Sequence, residues 1–330
     1  MAGGGRGVQI PEVDLEAVDA VEITIVMDLF LDVLMSGQEG VRRFPLAYDA
    51  FERDGLLAEH GFSALIRVTR NGKTQSILYD AGFSPKAVRN NLDVMDVDVT
   101  DMRAIVLSHG HADHHGGLEG LFQRYGRLRM PLVLHPDAFK ERKIVLPTGA
   151  ELHLPPPSAN DLDREGLTLV EDRGPSFLVD QSVLVSGQVE RTTDYEKGFP
   201  SHQARTQDGG WEPDPWVWDD QNAIVNVRDR GLVVVSGCSH AGAVNVLRNA
   251  QRLTGEQRIL AFIGGFHLTG GSFDAIIPTT VADVKRIGVE QLVPGHCTGW
   301  RAMHALAREL PDAFVQPSVG TTIRYESQSR

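Results

Sequence analysis

Residues 104–118 constrain this chain more than any other stretch: Ala-Ile-Val-Leu-Ser-His-Gly-His-Ala-Asp-His-His-Gly-Gly-Leu. Residues 104–107 form a continuous apolar run, which reads as a buried strand. At Ser108 it empties into His109, His111, Asp113, His114 and His115, and Gly116-Gly117 then turns the backbone toward a second apolar stretch at 118–122. If the backbone stays extended past Ser108, His109 and His111 point to one side and can share a cation. Asp113 and His114, adjacent on a turn, point elsewhere and can hold a second cation close by. Imidazole suits zinc and iron, and a carboxylate supplies a charged oxygen that helps to neutralise a second ion. A solvated loop that binds nothing would need neither the strand, nor this spacing, nor the paired glycines. The stretch reads as a metal site.

The same design recurs in the last third of the chain. Predicted strands, mostly apolar, run from 232–236 into Gly237-Cys238-Ser239-His240, from 259–263 into Gly264-Gly265-Phe266-His267, and from 291–293 into Pro294-Gly295-His296-Cys297. Predicted helices over about 242–253, 278–287 and 300–310 separate these strands, and a closing strand lies near 321–325. The first half reads as a strand over 22–27 and a hairpin over 63–69 and 75–79, turned by Asn71-Gly72. A helix over 84–92 follows, with Ser84 as its cap and Pro85 in its first turn. Two β-rich halves with helices outside fit this alternation better than a purely parallel sheet.

His109-Gly-His111-Ala-Asp113-His114 resembles the signature of the metallo-β-lactamase superfamily. The wider chain, over roughly 21–325, resembles the branch of metal-dependent hydrolases related to 7,8-dihydropterin-6-methyl-4-(β-D-ribofuranosyl)aminobenzene-5'-phosphate synthase. The segments that carry this likeness are Ala58-Glu59-His60-Gly61-Phe62-Ser63, Tyr79-Asp80-Ala81-Gly82, Gly237-Cys238-Ser239-His240-Ala241-Gly242, Gly264-Gly265-Phe266-His267-Leu268 and Pro294-Gly295-His296-Cys297-Thr298-Gly299. The resemblance implies an α+β fold, a four-layer αββα sandwich holding one or two ions, Zn2+ or else Mn2+ or Fe2+. It also implies that Asp80 supports the metal loop from behind. The sequence departs from the superfamily pattern twice: Gln188 stands where a histidine ligand is expected, and Cys238 where a bridging aspartate is expected. The expected metal ligands are therefore His109, His111, Asp113, His114, Cys238, His240 and His296. His240 replaces the missing histidine, and Cys238 lines or bridges the ions. His267 is a ligand or a proton carrier.

The domain expectation is a flexible tail over 1–20 and one domain over 21–330. Residues 28–57 read as an irregular stretch with a short helix near 48–58, and 183–190 as a strand. Loop-rich insertions are expected near 146–177 and 191–220. The second, with Trp211, Trp216 and Trp218, reads as a lid or recognition loop, or alternatively as a homodimer contact. The net charge of −12 argues against a nucleic-acid partner, which calls for clustered Lys and Arg. The two cysteines, Cys238 and Cys297, cannot build a disulfide framework and, each lying beside histidines, read as site residues rather than as a bridge; a reducing, cytoplasmic setting is the expectation, with no membrane association. The expected activity is metal-dependent hydrolysis of a small molecule, pterin-like, phosphorylated or aromatic, by a metal-bound hydroxide that Asp113 orients. His60 and His267 would contact the substrate or protonate the leaving group. An iron oxygenase on the same fold and a non-catalytic metal or ligand sensor are the alternatives.

Overall fold

The computed structural model describes residues 12–46 and 54–328. In chain order the strands are β1 (Ala20–Met27), β2 (Val41–Arg42), β3 (Ser63–Arg70), β4 (Lys73–Tyr79), β5 (Ile105–Val106), β6 (Pro131–Leu134), β7 (Arg142–Val145), β8 (Glu151–Leu154) and β9 (Thr168–Glu171). They continue as β10 (Ser176–Leu178), β11 (Val183–Val185), β12 (His202–Arg205), β13 (Trp211–Pro213), β14 (Asn222–Val227), β15 (Gly231–Ser236), β16 (Ile259–Gly265), β17 (Gln291–Gly295) and β18 (Thr322–Glu326). The α-helices are α1 (Ala87–Val94), α2 (Ala112–His115), α3 (Leu118–Tyr125), α4 (Ala159–Arg164), α5 (Ala243–Thr254), α6 (Ile277–Ile287) and α7 (Trp300–Glu309).

Alternation along the strands sorts these elements into four layers. In β1, β3 and β4, Val21, Ile23, Ile25, Ala64, Ile66, Ile77 and Tyr79 point inward. They meet Ala223, Val225, Val233, Val235, Ala261, Ile263 and Val293 from β14 to β17 in one buried cluster. The intervening residues Val26, Leu65, Leu78 and Ile105 face α1 and α3. On the opposite side Ile224, Val234, Phe262 and Leu292 face α5, α6 and α7. An eight-stranded sheet, β2-β18-β1-β3-β4-β5-β6-β9, therefore packs on a six-stranded sheet, β10-β11-β14-β15-β16-β17, with helices outside both. The expected αββα sandwich is what the residues build. The β3–β4 turn has Asn71 and Gly72 both at positive φ, as a tight hairpin of this twist requires.

The structure departs from expectation in five segments. Part of the stretch expected to be a loose tail is packed: the Val13 N–H donates to Leu253 O, Leu15 and Val18 are buried, and β1 already begins at Ala20. The strand expected over 183–190 stops at Val185, and Gly187 enters the left-handed region two residues later. The two expected insertions contribute β8 and β12–β13, which join β7, just ahead of the first insertion, in a four-stranded antiparallel sheet, β13-β12-β7-β8. Of the helix expected near 48–58, residues 47–53 lie outside the described residues and 54–58 form none. The α1 helix begins at Ala87 rather than Ser84, although Ser84 Oγ accepts from the Ala87 N–H at 3.3 Å.

The small sheet is anchored by Arg142 of β7, which is 1% exposed and so must be paired. Its guanidinium donates to Asp214 Oδ2 at 2.8 Å and to both carboxylate oxygens of Asp219, at 2.6 and 3.1 Å. Asp219 Oδ2 in turn accepts from the Gly110 N–H at 2.8 Å, inside the histidine loop.

Candidate metal centre

Strands β4 and β5 run parallel in one sheet, and β15, β16 and β17 run parallel in the other. Each of these groups therefore ends on one side, and their C-terminal loops meet. Asp80 follows β4; the histidine loop follows β5; Cys238 and His240 follow β15; His267 follows β16; His296 and Cys297 follow β17. The backbone at Asp80, Ser239, His267 and His296 sits at φ of 58, 55, 41 and 45°. Each such non-glycine residue costs of order 1–3 kcal/mol, and such residues concentrate at functional sites. The Gly116-Gly117 pair serves packing rather than an unusual turn: a Cβ on Gly117 would lie 1.9 Å from Ala81 O.

Asp80 organises the loop. Its Oδ1 accepts from the Ser108 N–H at 2.7 Å, and its Oδ2 accepts from the Ser108 hydroxyl and from His114 Nδ1, both at 2.7 Å. Because the single Ser108 hydroxyl proton goes to the carboxylate, Ser108 Oγ is an acceptor for His109 Nδ1, 2.8 Å away. Both His109 and His114 are thus fixed with the proton on Nδ1, which turns an Nε2 lone pair toward the site.

Two neighbouring groups of ligand atoms result. His109, His111 and His240 bring one nitrogen each within 4.8 Å of the others, with His109 Nε2 and His111 Nδ1 2.9 Å apart. Around the second position, Asp113 Oδ2 lies 3.7 Å from His114 Nε2 and 3.3 Å from His296 Nε2, and Cys238 Sγ lies 3.3 Å from His114 Nε2. His109, His114 and Cys238 also converge within 4.8 Å, linking the two positions. His111 Nε2 and both ring nitrogens of His240 are buried without a hydrogen-bond partner among the described residues. Buried polar atoms are normally paired, so these orphaned nitrogens fit a cation.

The electrostatics agree. Burial, reinforced by neighbouring histidines, holds His109, His111 and His240 well below the ordinary imidazole range, so they are neutral and keep their lone pairs. Burial pushes the Asp113 carboxyl up, but His114 and His296 outweigh it and keep the carboxylate ionised far into acid. Burial lowers His114 and His296 too, yet Asp113 and Asp80 overcome it at His114. At His296, Cys297 and Asp113 raise the ring to about 9. The second position thus draws positive charge, which a divalent cation would supply. Burial, helped by Cys297, pushes the Cys238 thiol up.

Every expected residue reaches this region. His60 is exposed at the mouth, with Nε2 3.5 Å from Asp113 Oδ2. The His267 ring lies 4.1 Å from that of His240 and opens onto a cavity of about 140 Å³ that Lys197, Phe266 and Phe273 also line. A larger hollow, about 790 Å³, lies against α1 and holds none of the candidate ligands.

His202 and Asp28, which the sequence reading did not reach, and Cys297, which it did, also belong to the site. His202, from the small sheet, is fully buried, neither ring nitrogen has a hydrogen-bond partner among the described residues, and its ring is 4.9 Å from that of His111. Cys297 Sγ lies 3.1 Å from Cys238 Sγ. Asp28, just past β1, accepts from the His296 N–H at 2.7 Å. Asp28 carries the same signal as Asp80, a carboxylate directly after an apolar strand; no pattern in the sequence marks His202.

Known proteins are similar to this chain. A relative from Methanocaldococcus jannaschii, 7,8-dihydropterin-6-methyl-4-(beta-D-ribofuranosyl)-aminobenzene-5'-phosphate synthase, is 28% identical over 295 residues, covering 87% of this chain and 97% of its own. An uncharacterized protein of the same organism is 31% identical over 273 residues, covering 81% of this chain and 94% of its own. The crystal structure of Tm1679, a metal-dependent hydrolase of the beta-lactamase superfamily, superposes with a TM-score of 0.69 at 25% identity, over 94% of this chain and all of that one. The sequence profile of the metallo-beta-lactamase superfamily matches residues 58–253. The chain belongs to the metallo-beta-lactamase superfamily.

Proposed function

We propose that this chain is a metal-dependent hydrolase of small molecules, with the ligand groups around His109, His111 and His240 and around Asp113, His114, Cys238 and His296 as neighbouring cation positions. The observation that carries the reading is the linkage of the two groups through His109, His114 and Cys238 within ligand reach. When bound, such cations lower the pKa of a coordinated water toward neutrality and stabilise negative charge developing on the substrate. The chain's own part is to orient and to exclude water. Asp113, kept ionised beside both His114 and His296, accepts hydrogen bonds at Oδ2 and so orients the attacking group. His60, exposed at the mouth, and His267, facing the small cavity, are placed to contact substrate and to donate a proton to the departing group. Likeness to the pterin-related synthase supports a phosphorylated, pterin-like or aromatic substrate. That relative is named a synthase, which favours group transfer at the same centre as a second reading.

The test is elemental analysis of wild type and of His240→Ala and His296→Ala, alongside turnover of a panel of phosphate esters and lactones by wild type and Asp113→Ala. About two equivalents of zinc or manganese in wild type, reduced in both histidine variants, with turnover lost in Asp113→Ala, is the expected result. A single iron with oxygen uptake, or full turnover in metal-loaded Asp113→Ala, overturns the reading.

A further inference from the structure

Cys238 and Cys297 come from different strand ends, β15 and β17, separated in their sheet by β16. Their sulfurs nevertheless lie 3.1 Å apart, both thiols are buried, and Cys297 Sγ is also 3.5 Å from Cys238 O. The approach depends on the end of β16 being glycine. A Cβ on Gly265 would stand 2.7 Å from Cys297 Sγ, 3.2 Å from the Cys238 Cα and 2.3 Å from Gly237 O. A disulfide needs the two sulfurs about 2.0 Å apart, a closure of about 1 Å from the present contact. One partner, Cys238, also stands within ligand reach of His109 and His114, and with Cys297 within reach of His296. A sulfur committed to a disulfide is no longer a thiolate donor.

We propose that Cys238 and Cys297 are a redox-modifiable dithiol, which a small peroxide converts into an intramolecular disulfide that withdraws Cys238 from the second cation position. The step balances. One sulfur attacks the peroxide O–O bond to give a sulfenic acid and one water. The second sulfur displaces the sulfenic oxygen as another water, so two thiols lose two electrons and two protons and one peroxide becomes two waters. The exposed His60 shares one group of side chains, all within 4.8 Å, with Asp113 and His296, and His296 shares another with both sulfurs, so only a few side chains lie between solvent and the thiols. Intracellular disulfides are typically transient and redox-sensing, and a thiol pair touching a metal position fits that use. The metal-release half rests on the metal-dependent reading above; the disulfide half does not.

The experiment treats the purified protein as isolated with hydrogen peroxide. It follows intact mass, alkylatable thiols and released metal by a chromogenic chelator, for wild type and for Cys297→Ser. Wild type is expected to lose the mass of two hydrogens and both thiols while releasing metal, with dithiothreitol restoring the thiols. Cys297→Ser is expected to gain oxygen at Cys238 instead, with no such disulfide. Wild type that gains oxygen as the variant does, or that closes the disulfide and keeps all of its metal, overturns the proposal. Protein isolated without any metal overturns the hydrolase reading instead, and mass and thiol counts then decide the dithiol step alone.

Discussion

Asp80 makes the sharpest test of how the site is built, because one carboxylate sets the proton position on a candidate ligand it does not replace. Asp80→Asn is nearly isosteric, and asparagine tolerates the φ of 58° found there. Its carbonyl oxygen can keep the bond from the Ser108 N–H. Its NH2 group, however, replaces the oxygen that accepts from His114 Nδ1 at 2.7 Å. Two donors then face each other, and the relief is for His114 to move its proton to Nε2, so that Nδ1 accepts from the amide. An Nε2–H cannot ligate. Partners of this kind are worth about 10–100-fold in metal affinity, or about 1.4–2.7 kcal/mol. Chelator-competition titrations should show weakening at the Asp113–His114–His296 position and also at the His109–His111–His240 position, because the same oxygen accepts the Ser108 hydroxyl that sets the His109 proton. Long-range nitrogen–proton NMR of the metal-free protein, at alkaline pH where the raised His114 ring is neutral, should place its proton on Nδ1 in wild type and on Nε2 in the variant. Wild-type affinity at both positions with a switched tautomer would refute the argument that Asp80 acts through His114.

Two further outcomes follow from buried charge. Arg142→Ala leaves the Asp214 and Asp219 carboxylates without their partner, which costs about 3–5 kcal/mol; urea unfolding should read that loss, and limited proteolysis should open the small sheet first. At Asp220, burial, opposed by the Ala241 N–H and by Arg191, pushes the carboxyl up to about 6, and Oδ1 has no hydrogen-bond partner among the described residues. The folded state therefore binds the proton more tightly than the unfolded state, so this contribution is full below about 3.8 and is lost as pH rises through about 6. Asp220→Asn removes that dependence. Urea unfolding should put the variant above wild type at pH 7.5, by up to about 3 kcal/mol, with the gap shrinking to about 1 kcal/mol by pH 4.5; equal gaps at both values would contradict the assignment.

The strands that end in the site were readable because an apolar run that stops at glycine and histidine is a local pattern. The β3–β4 hairpin was readable through Asn71-Gly72 for the same reason. What stayed hidden is what non-local folding decides. His202 lies in a polar stretch whose strand exists only because β7 and β13 flank it. Arg142 looks like one more surface charge until Asp214 and Asp219 close on it. The meeting of Cys238 with Cys297 depends on two loops bending over a glycine that, in sequence, looked like part of another motif. Gly116 and Gly117 show the converse: the residues were rightly marked, but the reason is a close backbone approach rather than a turn.

The candidate ligands do not belong to one sheet. His109, His111, Asp113 and His114 follow a strand of the eight-stranded layer, and Cys238, His240 and His296 follow strands of the six-stranded layer. A cation held by both sets would be a rivet through the seam of the sandwich. Sliding or parting the layers would then mean giving up the ion, so the two halves would lose the freedom to open separately. By mass action an ion present at 100 times its dissociation constant adds about 2.7 kcal/mol against unfolding, and here that energy would act across the seam rather than within either layer. The catalytic ion and the mechanical fastening of the fold would be one and the same.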